Sequence, residues 1–319
     1  MKILITGGAG FIGSHLSDYL IKRGDEIWAI DDLSTGKKEN ISHLENHSNF
    51  HFVFDSIMNR EKLEELVDKC EYIYHLAAAV GVKYIIENPL YSLQVNIKGT
   101  ENILEFANKK KKKVLIASTS EVYGKSEKLP FEENGDIVFG ATYKARWGYG
   151  CSKAVDEFLG LAYFREKKLP IVIARLFNTC GPRQRGEYGM VIPRFIKQAL
   201  LNYPITIYGT GKQTRCFCDV QDAVSGLVKL MDEDIAIGEI VNIGNNEEIS
   251  IEELANKIKK LTKSNSIIEY ISYEKAYESG FEDLKKRIPD LSKIKKLINY
   301  QPKINIDNLL KRTIEYFEA

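Results

Sequence analysis

Two textures of apolar and polar positions divide this chain. From Lys2 to about Arg175, short β-branched runs alternate with longer stretches whose apolar positions recur at helical spacing. The short runs predict strands over Ile3–Thr6, Ile27–Asp31, Phe50–Phe54, Tyr72–Leu76, Val114–Ser118 and Ile171–Ala174. The longer stretches predict helices, notably over Leu16–Arg23, Ser92–Lys109 and Tyr149–Lys167. Strand, helix and strand in succession build parallel βαβ units, so the predicted fold class is α/β, a Rossmann-type doubly wound parallel sheet. Beyond Arg175 the rhythm loosens into glycine- and proline-punctuated segments such as Cys180–Gly186 and Tyr208–Lys212, followed by helical patterns to the C-terminus. That change predicts a smaller, discontinuous α/β lobe.

Composition narrows the function classes. A chain of 319 residues, 44% apolar and 28% charged, buries a sizeable core and is neither disordered nor fibrous. Its net charge of +1 gives no global field toward nucleic acid or an anionic membrane, so an anionic ligand needs a local basic site. The opening MKILITGG enters a strand and a glycine turn at once, and is expected to leave no room for a signal peptide. No apolar run approaches the roughly 20 residues of a membrane span. Five cysteines, at 70, 151, 180, 216 and 218, follow no metal-ligand spacing, so reduced thiols, a cytoplasmic location and no bound metal are expected. Cys216 and Cys218 read as alternating strand positions ahead of Asp219, and the basic run Lys109–Lys113 as a solvated helix end.

Between the first strand and the first helix lies Gly7-Gly8-Ala9-Gly10-Phe11-Ile12-Gly13. Glycines at 7, 10 and 13 let the backbone turn tightly and approach a pyrophosphate, while the helix N-terminus offers N–H groups and a positive partial charge. Gly7, Gly10, Phe11, Ile12 and Gly13 are therefore expected against a dinucleotide. Asp31, with Asp32 beside it, closes the second strand 18 residues beyond Gly13, where a carboxylate accepts hydrogen bonds from a ribose diol and repels a 2′-phosphate. That points to NAD rather than NADP. Ser56 and Ile57, after Asp55 at the end of the third strand, are candidates for the adenine edge.

Tyr149 and Lys153 stand at i and i+4, on one helix face. A phenol of ordinary pKa, about 10, is a poor base near neutrality, and a nearby ammonium favours its ionised form. Thr119, Ser120 and Glu121 follow the fifth strand at the carboxyl edge, where open α/β sheets bind ligands.

Together the Gly7–Gly13 spacing, Tyr149-Gly-Cys-Ser-Lys153 and Thr119-Ser120-Glu121 resemble the extended short-chain dehydrogenase/reductases, the NAD-dependent nucleotide-sugar epimerase/dehydratase family, over essentially the whole chain. The resemblance implies that Thr119 assists the tyrosine, that Asn96 supports the site from a neighbouring helix, and that Leu76, Ala77 and Ala78 lie beside the nicotinamide ribose. His75 is read as a packed strand-end residue. Asn178, Arg215 and Arg287 are implied as diphosphate contacts and Tyr208 as a base-stacking residue. Arg185 resembles an arginine that some UDP-glucuronate 4-epimerases aim at the substrate carboxylate. The corresponding division is residues 1–177 plus about 214–240 for an NAD-binding Rossmann domain, and about 178–213 plus 241–319 for a sugar-nucleotide-binding lobe. A homodimer is implied by the same resemblance.

Within the family every reading begins with oxidation at C4 of the sugar. The runs Arg146–Lys153 and Gly189–Arg194 look most like NAD-dependent epimerases, which places UDP-sugar 4-epimerisation first, on UDP-glucose or UDP-glucuronate. Glu121 is familiar from decarboxylases and dehydratases, so UDP-glucuronate decarboxylation stands second and 4,6-dehydration third. A non-catalytic NAD-sensing protein is the remote alternative, opposed by the presence of Tyr149, Lys153 and Thr119.

Overall fold

The computed structural model describes residues 1–80, 85, 87–144, 146–186, 190–272 and 286–319. Gly189 lies outside the described residues. Seven parallel strands form the central sheet: β1 (Lys2–Thr6), β2 (Glu26–Asp31), β3 (Phe50–Phe54), β4 (Tyr72–His75), β5 (Lys113–Thr119), β6 (Ile171–Leu176) and an edge strand over Ile240–Ile243. From that edge inward the order is Ile240–Ile243, β6, β5, β4, β1, β2, β3. The chain therefore reverses its direction of travel across the sheet between β1 and β4, which opens a crevice at their carboxyl ends.

Strand parity explains why the sheet is buried on both faces. Ile3 and Ile5 of β1 join one core cluster while Leu4 joins the other, and Val172 and Ala174 of β6 oppose Ile171 and Ile173 in the same way. The first face is covered by α1 (Phe11–Arg23), and the second by α2 (Arg60–Lys69), α3 (Pro89–Lys109) and α4 (Arg146–Lys167). The predicted strands and helices lie within these elements or differ from them by a residue or a helical turn.

The lobe is built from β7 (Thr179–Cys180), α5 (Val191–Leu200), β8 (Ile205–Tyr208), β9 (Thr214–Cys216) and β10 (Cys218–Asp219). It continues through α6 (Val220–Asp232), which packs back on the sheet, to β11 (Ile240–Ile243), β12 (Glu248–Ser250), α7 (Ile251–Leu261), β13 (Ile268–Ile271), α8 (Ser292–Ile298) and α9 (Ile306–Glu318). Its core gathers Ile192 and Phe195 of α5, Leu254 and Ile258 of α7, and Leu309 and Leu310 of α9. Two expected boundaries shift. β11 pairs with β6, so the division expected at 240/241 cuts a strand of the central sheet, and α8 returns Ile294 to the sheet's first face. Conversely β9 pairs with β12 in the lobe. Short, mostly apolar runs such as Ile240–Ile243 carry no periodicity that assigns them to either body. Among the described residues no helix is long and apolar enough to cross a membrane.

Candidate active site

A cleft of about 500 Å³ runs from the glycine turn across the carboxyl ends of the strands to the lobe. At one end Gly7 adopts a φ of +71°, and its N–H donates to the Ile30 carbonyl at 2.9 Å. A Cβ on Gly13 would collide with the Gly7 carbonyl oxygen, so α1 closes on the turn only with glycine there. No acidic residue stands in the first turn of α1, and Gly7, Gly10, Phe11, Ile12 and Gly13 all line the cleft. Its N-terminal partial charge is thereby presented to a ligand.

Asp31 is buried at the end of β2, where its carboxylate accepts from the Ala9 N–H at 3.0 Å and the Leu33 N–H at 2.8 Å. Burial pushes this carboxyl up, and the backbone donors oppose that shift. Asp32 accepts from the Ser34 N–H at 3.0 Å. Both acids line the cleft with Ser34, Thr35 and Asn40, which the sequence did not single out. Asp55 and Ile57 also line it, whereas the Ser56 hydroxyl is placed in a turn, accepting from the Met58 N–H at 3.3 Å. Turn, helix N-terminus and buried aspartate together fit a dinucleotide with a free ribose diol.

Leu76, Ala77 and Ala78 form the wall beyond β4. His75 is buried behind them between Thr6 Oγ1 at 2.8 Å and Thr100 Oγ1 at 3.0 Å, as a packed strand-end residue. Burial, and secondarily the Lys153 charge, lowers its pKa to about 3, so it is neutral at neutral pH. Asn96 stands behind the cleft wall. Its Oδ1 accepts from the Ala79 N–H at 2.8 Å and its Nδ2 donates to Ser152 Oγ at 3.1 Å; Ser152 in turn donates to the Tyr149 carbonyl at 2.8 Å. A continuous chain of bonds thus ties the wall to the start of α4.

Thr119, Ser120, Glu121 and Tyr149 meet at the far end of the cleft. Burial pushes the Tyr149 phenol above its usual range, Glu121 and then Asp156 add to the shift, and a hydrogen bond with Thr119 opposes it. Lys153, one helical turn beyond Tyr149 on α4, is 2% exposed, with Nζ donating to Asp156 Oδ2 at 2.7 Å. Glu121 forms ion pairs with Arg287 and, at 3.6 Å, with Arg146. Arg146 was not anticipated, although it sits three residues before Tyr149 and helical spacing alone places it on that face.

The residues expected on the lobe side, Asn178, Arg185, Tyr208, Arg215 and Arg287, all line the cleft. Asn178 donates to the Cys216 carbonyl at 2.9 Å and Arg215 to the Thr214 carbonyl at 2.8 Å. The Arg194 guanidinium lies 4.0 Å from the centroid of the Tyr208 ring, against one of its faces. Arg185 Nη1 donates to the Thr35 carbonyl at 3.2 Å, in the loop that follows Asp31 and Asp32. In this structure it therefore contacts the loop that follows β2, while Arg146 and Arg287 are paired with Glu121.

A family model described as GDP-mannose 4,6 dehydratase matches residues 4–313. The chain is 45% identical over 317 residues to a UDP-N-acetyl-alpha-D-glucosaminuronate decarboxylase of Bacillus cytotoxicus, covering 99% of this chain and 97% of that protein. It is 38% identical over 318 residues to UDP-glucuronic acid decarboxylase 1 of Xenopus tropicalis, covering 99% of this chain and 72% of that protein. Among solved structures, the UDP-glucuronic acid 4-epimerase from Bacillus cereus in complex with UDP-glucuronic acid and NAD is similar at a TM-score of 0.90 and 33% identity, covering 100% and 99% of the two chains.

Proposed function

The chain belongs to the GDP-mannose 4,6 dehydratase family of NAD-dependent enzymes acting on nucleotide sugars, and from that premise we propose that it decarboxylates a UDP-hexuronate, UDP-glucuronate or its 2-acetamido counterpart. The observation that carries this reading is Glu121, a carboxylate set between two guanidiniums beside Tyr149. Epimerisation at C4 needs a base at that oxygen and no second proton donor. Decarboxylation needs both. The preference for 4-epimerisation drawn from sequence is therefore reversed, and the similarity to two proteins named decarboxylases supports the reversal.

Tyr149 accepts the proton of the C4 hydroxyl, and the Thr119 hydroxyl holds the same oxygen. Bound NAD, held by the glycine turn and Asp31, supplies the acceptor and later the donor of a hydride at C4. With a ketone at C4, the substrate carboxylate lies β to it. The C5–C6 bond breaks, carbon dioxide leaves, and the electron pair moves onto the C4 oxygen, where Tyr149 and Thr119 stabilise it. Glu121, protonated from solvent once the substrate carboxylate takes over part of its arginine pairing, delivers that proton to C5 and is left as the carboxylate. Arg146 and Arg287 can exchange part of their pairing with Glu121 for the incoming carboxylate, because planar guanidinium forks suit it.

The test is carbon dioxide release from UDP-glucuronate and UDP-N-acetylglucosaminuronate. Glu121→Gln should lower release at least about a hundredfold, within the range of general acid catalysis, while NAD titrates normally. Release at the wild-type rate would remove Glu121 from the chemistry.

A further inference from the structure

We propose that Asp156 is a positioning residue of this reaction: it holds the Lys153 ammonium in a buried ion pair and thereby sets the pH at which Tyr149 begins to act as a base. The inference rests on the reading of Tyr149 as that base. Tyr149, Lys153 and Asp156 occupy positions i, i+4 and i+7 of α4, a single stripe along one face. The Lys153–Asp156 pair measures 2.7 Å, with side chains 2% and 0% exposed, so water screens neither charge.

A row of hydrogen bonds runs behind the pair, while Asp156 Oδ1 has no hydrogen-bond partner among the described residues. Thr6 Oγ1 accepts from the Ala77 N–H at 3.1 Å, so its own proton can go to His75 Nδ1. That leaves the proton of His75 on Nε2, donating to Thr100 Oγ1, and the Thr100 hydroxyl donating to Asp156. Burial pushes the Asp156 carboxyl up, and the Lys153 charge and hydrogen bond, then Thr100, oppose that shift and favour the ionised form that pairs with Lys153 at 2.7 Å.

The consequence falls on Tyr149. An ammonium already paired attracts a phenolate less, and the Asp156 charge opposes the phenolate directly. Among the described residues, other charged groups border this stripe. Glu121, from the turn after β5, is paired with Arg146 and Arg287; Glu157 of α4 is paired with Arg175 of β6 at 2.7 Å; His75 of β4 is neutral; and α3 presents Asn96 and Thr100. Among the described residues, Asp156 is the carboxylate that engages Lys153.

Tyr149 ionisation can be followed without turnover, as tyrosinate absorbance in the NAD-bound enzyme minus that of Tyr149→Phe. Asp156→Asn should move the midpoint to lower pH by at least about half a unit, and the acid limb of kcat/KM should move with it. Asp156→Ser, smaller and also neutral, should shift in the same direction, and Asp156→Glu should restore the wild-type midpoint. A midpoint unchanged or raised in both neutral variants overturns the proposal, whatever the loss of turnover. If the midpoint moves as expected while no nucleotide uronate is consumed, the electrostatic role stands and the decarboxylase reading fails.

Discussion

His75 is held neutral in a site that satisfies both ring nitrogens, and this shapes the acid stability of the protein. Its pKa is about 3 in the native state against 6.5 for the free group, and that of His15, buried against the Pro182 carbonyl, is about 4. As pH falls below 6.5 the unfolded chain binds protons that these native side chains refuse, so stability declines with acidity by up to ~1.4 kcal/mol per pH unit for each histidine. His75's contribution runs from the unfolded pKa down to about 3. Urea unfolding of His75→Gln should therefore fall off less steeply than wild type between pH 6 and 4. Parallel curves would contradict neutral burial. At this scale the glycine turn, Asp31, and the Tyr149/Lys153 spacing were legible because each motif is local. The Arg185 contact with Thr35 joins residues 150 positions apart, and no spacing encodes it.

Helices α3 and α4 act as one element behind the reaction centre. Asn96 bridges them, taking the Ala79 N–H on one side and donating to Ser152 on the other, in a site that is 1% exposed. Asn96→Ala would leave a buried N–H and a hydroxyl to find new partners, at about 1–3 kcal/mol for an unsatisfied group. It would also loosen the Tyr149 backbone, so kcat should fall about tenfold or more while KM changes less. A loss of stability with kcat intact would mean that the bridge serves the fold alone. The alternation of Ile3, Leu4 and Ile5, and its repeats, made the central strands readable from sequence. β11 escaped because its partner β6 lies 67 positions earlier in register, Ile240 opposite Ile173, and nothing in the four residues Ile-Val-Asn-Ile names it.

In the whole molecule the cleft is lined both by the carboxyl edge of the sheet and by the lobe. Asp31 and the glycine turn lie at one end of the cleft and Glu121, Arg146 and Arg287 at the other, with Tyr149 between wall and lobe. Arg312 on α9 reaches Asp219 at 2.8 Å and Arg183 reaches Asp18 on α1 at 2.8 Å, so charged contacts tie the lobe's helices and loops to the elements bordering the cleft. Fold class and cofactor were readable from sequence. The reaction was left open between 4-epimerisation and decarboxylation, because the glycine turn, Tyr149 and Lys153 suit either reading. The most direct measurement is proton NMR of the nucleotide sugar formed when the NAD-loaded enzyme is incubated with UDP-glucuronate and with UDP-N-acetylglucosaminuronate. Decarboxylation predicts a UDP-pentose, or its 2-acetamido counterpart, with two protons on C5 and carbon dioxide in equal amount. A hexuronate with C6 retained and C4 inverted would contradict it.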